Sequence, residues 1–361
     1  MSAFRGVVVG APTYDAQRGG GHTGDGRKKI AMTDVATAGP VSVGPHDLER
    51  HRVELTAYCY RMLGSAFEAE DAVQDTLVRA WRGLDRFEGR SAVRSWLYRI
   101  ATNVCFDMLK GRQRRARPMD LGPARAADHP VGSTLPEATW VEPIPDGSVL
   151  PTGVDPADVA VARDSVRLAF VATLQHLPPR QRAVLILREV LSWRASEVAE
   201  LLDTTVASVN SALQRARATL ATSDLGQSEE ALDEQQQALL ERYVDAFERY
   251  DMDALTTLLH EDATQSMPPF AMWLRGREDI LRFWLGQGAG CRGSRLVRTA
   301  ANGSPAFAQY KPSGPGGAHQ PWALQVVRIS GDRIVELTFF LSTEALFPLF
   351  GLPQQPQVHT T

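Results

Sequence analysis

Residues 192–220, SWRASEVAELLDTTVASVNSALQRARATL, decide what kind of chain this is. A short helix over about Ala195–Leu202, a turn at Asp203–Thr205 and a longer helix from Val206 have the layout of a helix-turn-helix. At 3.6 residues per turn Val206, Val209, Leu213, Ala216 and Leu220 make one apolar stripe, expected to be buried. Ala207, Ser208, Ser211, Gln214 and Arg215 face outward, with Asn210 and Arg217 on the flanks. That outward face holds no acid. Small polar groups beside Arg and Gln suit a major groove, where arginine reads guanine and glutamine reads adenine. A three-helix bundle with no DNA partner can show the same pattern, so the surrounding chain has to decide.

Upstream, 165–176 and 180–191 read as two amphipathic helices joined by Leu177-Pro178-Pro179. Before them, 118–162 is rich in proline, glycine and acids, the composition of an extended linker. Earlier still, 50–117 is helical in pattern and free of proline. In AEDAVQDTLVRAW (69–81), Ala72, Val73, Leu77, Ala80 and Trp81 share an apolar face, while Asp71, Gln74, Asp75 and Arg82 share the opposite one. A loop, Leu84–Ser91, leads to a helix over Val93–Gly111. Its basic end carries Lys110, Arg112, Arg114, Arg115 and Arg117, more cations than a helix dipole needs. Trp96, Tyr98, Arg99 and Phe106 interleave aromatic faces with a guanidinium group, which is what unpaired bases and phosphates require.

Charge follows the same division. The net −3 conceals +4 over 46–117, −6 over 118–162, +3 over 163–220 and −6 from 221 to the end. Two basic blocks separated by an acidic spacer point to a polyanion met at two places. No stretch approaches the ~18–20 apolar residues of a membrane span. The start has no secretory core, and Met32 is a second possible initiation point. Cys59, Cys105 and Cys291 are odd in number and far apart, which argues against a disulfide framework or a zinc module and for a reducing cytoplasm. No metal, cofactor or catalytic residue is expected.

Beyond a polar stretch at 223–237, a long amphipathic helix is expected over about Gln236–Leu259. β-type runs follow at Arg295–Ala301, Trp322–Ile329 and Ile334–Leu341, the last two forming a hairpin around Ser330-Gly331-Asp332.

AEDAVQDTLVRAWRGLDRFEG and SAVRSWLYRIATNVCFDMLKGRQRR resemble region 2 of the extracytoplasmic-function (ECF) sigma factors of bacterial RNA polymerase. LPPRQRAVLILREVLSWRASEVAELLDTTVASVNSALQRAR resembles region 4 of the same family, the reader of the −35 element. The resemblance implies that Asp71, Gln74 and Asp75 dock on core polymerase. It further implies that Phe87, the loop around Gly89–Ser91 with Arg90 and Ser91, and Asn103 capture the −10 element. Trp96, Arg99, Lys110, Arg112, Arg114 and Arg115 are then expected as structural or phosphate contacts there. Ser208, Asn210, Ser211, Gln214, Arg215 and Arg217 are expected at the −35 element. Elements about 17 base pairs apart lie ~58 Å apart. The linker's residues could reach ~150 Å extended and average ~35–40 Å as a coil. The resemblance places such linkers near the polymerase's RNA exit path.

The third part, LLERYVDAFERYDMDALTTLLHEDATQSMPP (239–269) with Gly276–Ile280 and the late strands, resembles the SnoaL-like cone, and the combination resembles the SigG-type branch of the family. Met267, Trp273, Trp284 and Phe339 are expected to line a pocket. His260, Glu261, Asp262 and His319 lack the setting of an acid or base. The expected fold is mainly α: a region 2 bundle (46–117), an acidic linker (118–162), a region 4 helix-turn-helix (163–222), a short linker (223–236) and an α+β cone (237–353). Disordered termini, 1–45 and 354–361, flank them. The expected partners are core polymerase and promoter DNA with no membrane, and the residues name no anti-sigma factor. Two other classes compete: a stand-alone helix-turn-helix regulator, which needs no acidic docking face, and a cone enzyme with a helical extension.

Overall fold

The computed structural model describes residues 44–87, 92–153, 155–221 and 232–356. The expected disordered start, the junction at 222–231 and most of the tail lie outside the described residues, as do Gly89, Arg90 and Ser91.

The first bundle contains α1 (Pro45–Glu49), α2 (Arg52–Leu63), α3 (Ala66–Gly83) and α4 (Val93–Leu109). Gly64 ends α2 in the left-handed region at φ 74°, and Ser65 starts α3 by accepting from the Glu68 amide at 3.2 Å. A two-residue corner therefore folds α3 back onto α2. The apolar face of α3 buries Ala69, Ala72, Val73, Leu77 and Ala80. Trp81, expected on that face, is 61% exposed instead: it lies one residue past the buried arc, where no neighbouring helix covers it.

The 118–162 segment is not a free coil. Its backbone pairs with the first bundle at Ala116–Trp140, and with the third part at Thr134–Phe270 and Pro145–Ala301. Trp140, Val141, Ile144 and Val149 are buried. Two short helices, α5 (Asp146–Val149) and α6 (Pro156–Asp164), complete it. Proline and glycine here remove backbone donors and permit sharp turns, but a proline-rich strand with apolar residues between its prolines can still pack.

The second bundle contains α7 (Leu168–Gln175), α8 (Pro179–Leu185) running into a π-turn over Ile186–Val190, α9 (Ala195–Leu201) and α10 (Val206–Leu220). Thr205 caps α10 by accepting from the Ser208 amide at 3.1 Å. Val209, Leu213, Ala216 and Leu220 are buried as the stripe requires, whereas Val206 is 44% exposed because it occupies the first turn, beyond the reach of α8 and α9.

The third part opens with α11 (Glu234–Arg249) and α12 (Met252–Leu258), not with one long helix. Tyr250 takes φ 59°, and Asp251 caps the second helix on the Ala254 amide at 2.9 Å. Strands β1 (Leu259–Ser266) and β2 (Trp273–Arg275), α13 (Arg277–Leu285), β3 (Arg295–Ala301), β4 (Ser304–Lys311), β5 (Gln320–Ser330), β6 (Arg333–Phe340) and α14 (Thr343–Leu349) follow. One bulged sheet has the order β2-β1-β6-β5-β4-β3, antiparallel except for the β1–β6 pair. Alternation splits its faces. Phe307, Val327 and Leu337 face inward under α11–α13, while Ala306, Ala308, Leu324 and Val326 join the core shared with both helical bundles.

Candidate functional site

On α3, Asp71 and Gln74 are exposed and Asp75 is half-buried, paired with Arg79 at 2.7 Å. Helical spacing places Phe67, Val78 and Trp81 on this same face, and all three are exposed. The face therefore combines acidic groups with three exposed apolar side chains. Sequence reasoning missed that apolar component because Trp81 was assigned to the core.

At the start of α4, Phe87 lies against Trp96 with ring centroids 4.8 Å apart. The Trp96 ring is close enough to Gly83 that a Cβ there would meet it at 3.2 Å. The two rings form a platform just before and within the start of α4. Asn103 and Arg99 are exposed on α4, but Arg99 donates to the Glu200 carbonyl of α9 at 3.2 Å.

The basic cluster after α4 is largely consumed within the chain. Lys110 pairs with Asp107 at 2.7 Å, and Arg112 with Glu68. Arg114 donates to His176 Nδ1 at 2.8 Å, and burial together with that guanidinium lowers the His176 pKa. Arg115 departs from its expected DNA-facing role. It is only 7% exposed, donates to the Trp140 carbonyl at 2.7 Å and lies 2.9 Å from Glu68 and 3.6 Å from Glu142. The backbone turn at Gly111 directs it beneath the linker.

On α10 the outward residues behave otherwise. Ser208, Asn210, Ser211, Gln214 and Arg215 are all exposed. Arg215 donates to Ser211 Oγ at 2.6 Å, and among the described residues no carboxylate pairs with it. Arg217, on the flank, is held by Glu189 at 2.5 Å.

Between these surfaces runs a seam that the sequence did not announce. Arg61 of α2 is 2% exposed and donates to Ser165 Oγ at 2.6 Å and to its carbonyl at 3.2 Å; burial pushes its pKa down to about 10. Arg182 of α8 is buried likewise and donates to the Met62 carbonyl and to Gln175 Oε1 at 2.7 Å. Neither guanidinium has a carboxylate partner among the described residues. Carbonyl dipoles compensate a buried cation less fully than a carboxylate does, so the seam holds two costly charges. The third part completes it through Asn302, fully buried in the β3–β4 turn. Its Nδ2 donates to Tyr60 Oη at 2.6 Å and to the Val166 carbonyl at 2.7 Å, and its Oδ1 accepts from the Ile144 amide at 3.0 Å. One side chain thus ties both bundles and the linker to the cone. Asn302 and Gly303 both have positive φ, so an Asn-Gly turn signal was present in the sequence but went unread.

Inside the cone, Met267, Trp284 and Phe339 line a cavity of about 290 Å³. Trp273 does not; its indole donates outward to the Gly122 carbonyl of the linker at 2.8 Å. His260, Glu261 and Asp262 are exposed, on β1 rather than at a helix end, and His319 is half-buried. The cavity lining contains no carboxylate or imidazole among the described residues.

The sigma-70 region 2 family matches residues 48–115, sigma-70 region 4 matches 167–220, and the SnoaL-like domain matches 240–337. The chain is 46% identical over 312 residues to ECF RNA polymerase sigma factor SigG of Mycobacterium tuberculosis, covering 84% of this chain and 82% of that one. It is 30% identical over 162 residues to ECF RNA polymerase sigma factor SigW of Bacillus subtilis, covering 45% of this chain and 78% of that one. The crystal structure of the M. tuberculosis ECF sigma factor SigJ shares the fold, with a TM-score of 0.55 at 21% identity, over 86% of this chain and 99% of that one.

Proposed function

This chain belongs to the ECF RNA polymerase sigma factors, and from that membership we infer how its surfaces divide the work. It is a transcription initiation factor that directs core polymerase to promoters, and it is not an enzyme. We assign the exposed α3 face around Asp71, Gln74 and Asp75, with Phe67, Val78 and Trp81, to core polymerase. The Phe87–Trp96 platform, with Asn103, takes the −10 element. The acid-free face of α10 takes the −35 element. The chain works in the cytoplasm, where polymerase and DNA are.

One observation carries the regulatory half of this reading. Arg99 on the −10 helix touches Glu200 beside the −35 reader, whereas promoter engagement separates the two elements by ~58 Å. The closed arrangement is therefore a resting form, and polymerase binding opens it. Two guanidiniums without carboxylate partners keep that form easy to open, since opening returns both to water. The cone acts in cis by holding the linker and both bundles through Asn302.

Reconstituted transcription tests this. Adding the chain to core polymerase should yield promoter-specific RNA, and duplex binding without RNA would overturn the sigma assignment. Asn302→Gly keeps the backbone conformation while removing the tie. It should raise RNA yield at limiting core polymerase, and an unchanged yield would remove the cone from regulation.

A further inference from the structure

The cone cavity opens beside the linker. Apolar side chains dominate its wall, among them Phe247, Phe283, Met267 and Phe339. Gln265 is 2% exposed, and its Oε1 accepts from the Trp284 indole at 2.8 Å. An indole N–H only donates, so the other end of that amide is the NH2, which donates to nothing among the described residues. Lys311 also lines the cavity. Its ammonium lies 4.1 Å from the Trp322 ring centroid, and no carboxylate pairs with it among the described residues. Gln309 is occupied by Ser294 and Gln325, and Gln287 by the linker carbonyls of Ala127 and His129. The groups left unsatisfied toward the cavity are thus a cation and an amide donor, with no anion to answer them. The linker's Val131 forms part of the same wall.

We propose that this cavity is a binding site for a small apolar carboxylic acid, its body packed among the aromatic and methionine side chains and its carboxylate received by Lys311. An apolar chamber with few convergent polar groups is the usual form of a small-molecule site. An anion suits this one because its wall offers an ammonium and an amide donor and, among the described residues, no acid. Since Val131 is wall to the cavity and Gln287 clamps the adjoining linker, the bound acid sits against the strap that joins the two promoter-reading bundles.

The test needs no polymerase or DNA, so its outcome is separable from the transcriptional assignment. Calorimetric titration of the full chain compares 2-naphthoate with its neutral isostere 2-naphthamide. The acid should bind at least about tenfold more tightly, the scale of one charge-assisted hydrogen bond. Lys311→Met should erase that preference while leaving amide binding in place, and Lys311→Arg should retain it. Failure of the folded wild-type chain to bind 2-naphthoate up to millimolar concentration overturns the proposal. So does a preference for the acid that survives in Lys311→Met.

Discussion

Lys110–Arg117, just after α4, and Ser208–Arg217, along α10, are both basic segments, and in one dimension the first looks the better DNA ligand. In three dimensions the ranking reverses. Arg115 is buried against Glu68 and Glu142 under the linker, Arg112 also meets Glu68, and Arg114 holds His176. Arg215, with one neighbouring serine as its partner, stays exposed on α10. A count of cations says how much positive charge a segment carries, but not whether an acid 40 residues away has already claimed it. What separates the two segments is that an acidic helix, α3, is packed beside the first, whereas α10 turns an acid-free face to solvent.

The comparison can be broken first at α3 itself. Asp71→Arg with Asp75→Arg should abolish co-purification with core polymerase while the far-UV circular dichroism stays helical; retained co-purification would move the docking face elsewhere. Next comes the buried member of the basic pair. Arg115→Met removes the cation facing Glu142 and one of the two facing Glu68, and should cost about 3–5 kcal/mol of unfolding free energy in a denaturant titration. If it instead lowers DNA affinity with stability intact, Arg115 is a DNA contact after all. The exposed member should behave in the opposite way: Arg215→Ala should leave stability alone and cost ~1–3 kcal/mol of discrimination at one −35 position. A loss spread evenly over all sequences would make it a phosphate contact.

The smallest effect is on pH. Burial raises the carboxyl pKa of Glu142, which Ser65 hydrogen-bonds, and that of Asp146, which accepts from the Gly303 amide at 2.7 Å. The folded state therefore holds these protons more tightly than the unfolded chain does. Their contribution strengthens as pH falls from neutral into the range just above ordinary carboxylate values, and weakens as pH rises through it. Denaturation midpoints at two mildly acidic pH values should show a gain that shrinks in Glu142→Gln. An undiminished gain would assign the effect to other carboxyls.

Local features were well read where one element sufficed to define them. The α9–turn–α10 boundaries, the α10 stripe apart from Val206 and the β5–β6 hairpin all follow from periodicity, capping and turn chemistry within about 30 residues. β1 was missed because its exposed start, His260–Asp262, has the polarity of a helix end, and its pairing with β6 is supplied by a strand some 70 positions later. Trp273 was placed in the pocket on its apolar character alone. Its outward course depends on a linker carbonyl that no local pattern could bring to it.

By itself, then, the order of residues specified three modules, their helices and the chemistry of their exposed faces, because those depend on spacing along one element and on the side chains it carries. Tertiary structure alone decided that the acidic linker packs, that Arg61 and Arg182 lie buried between the bundles, and that Asn302 joins residues as distant in sequence as Tyr60 and Val166. Contacts across such separations arise only when whole modules dock. Which polar groups they leave satisfied or stranded is a property of the docked surfaces, and no single segment encodes it.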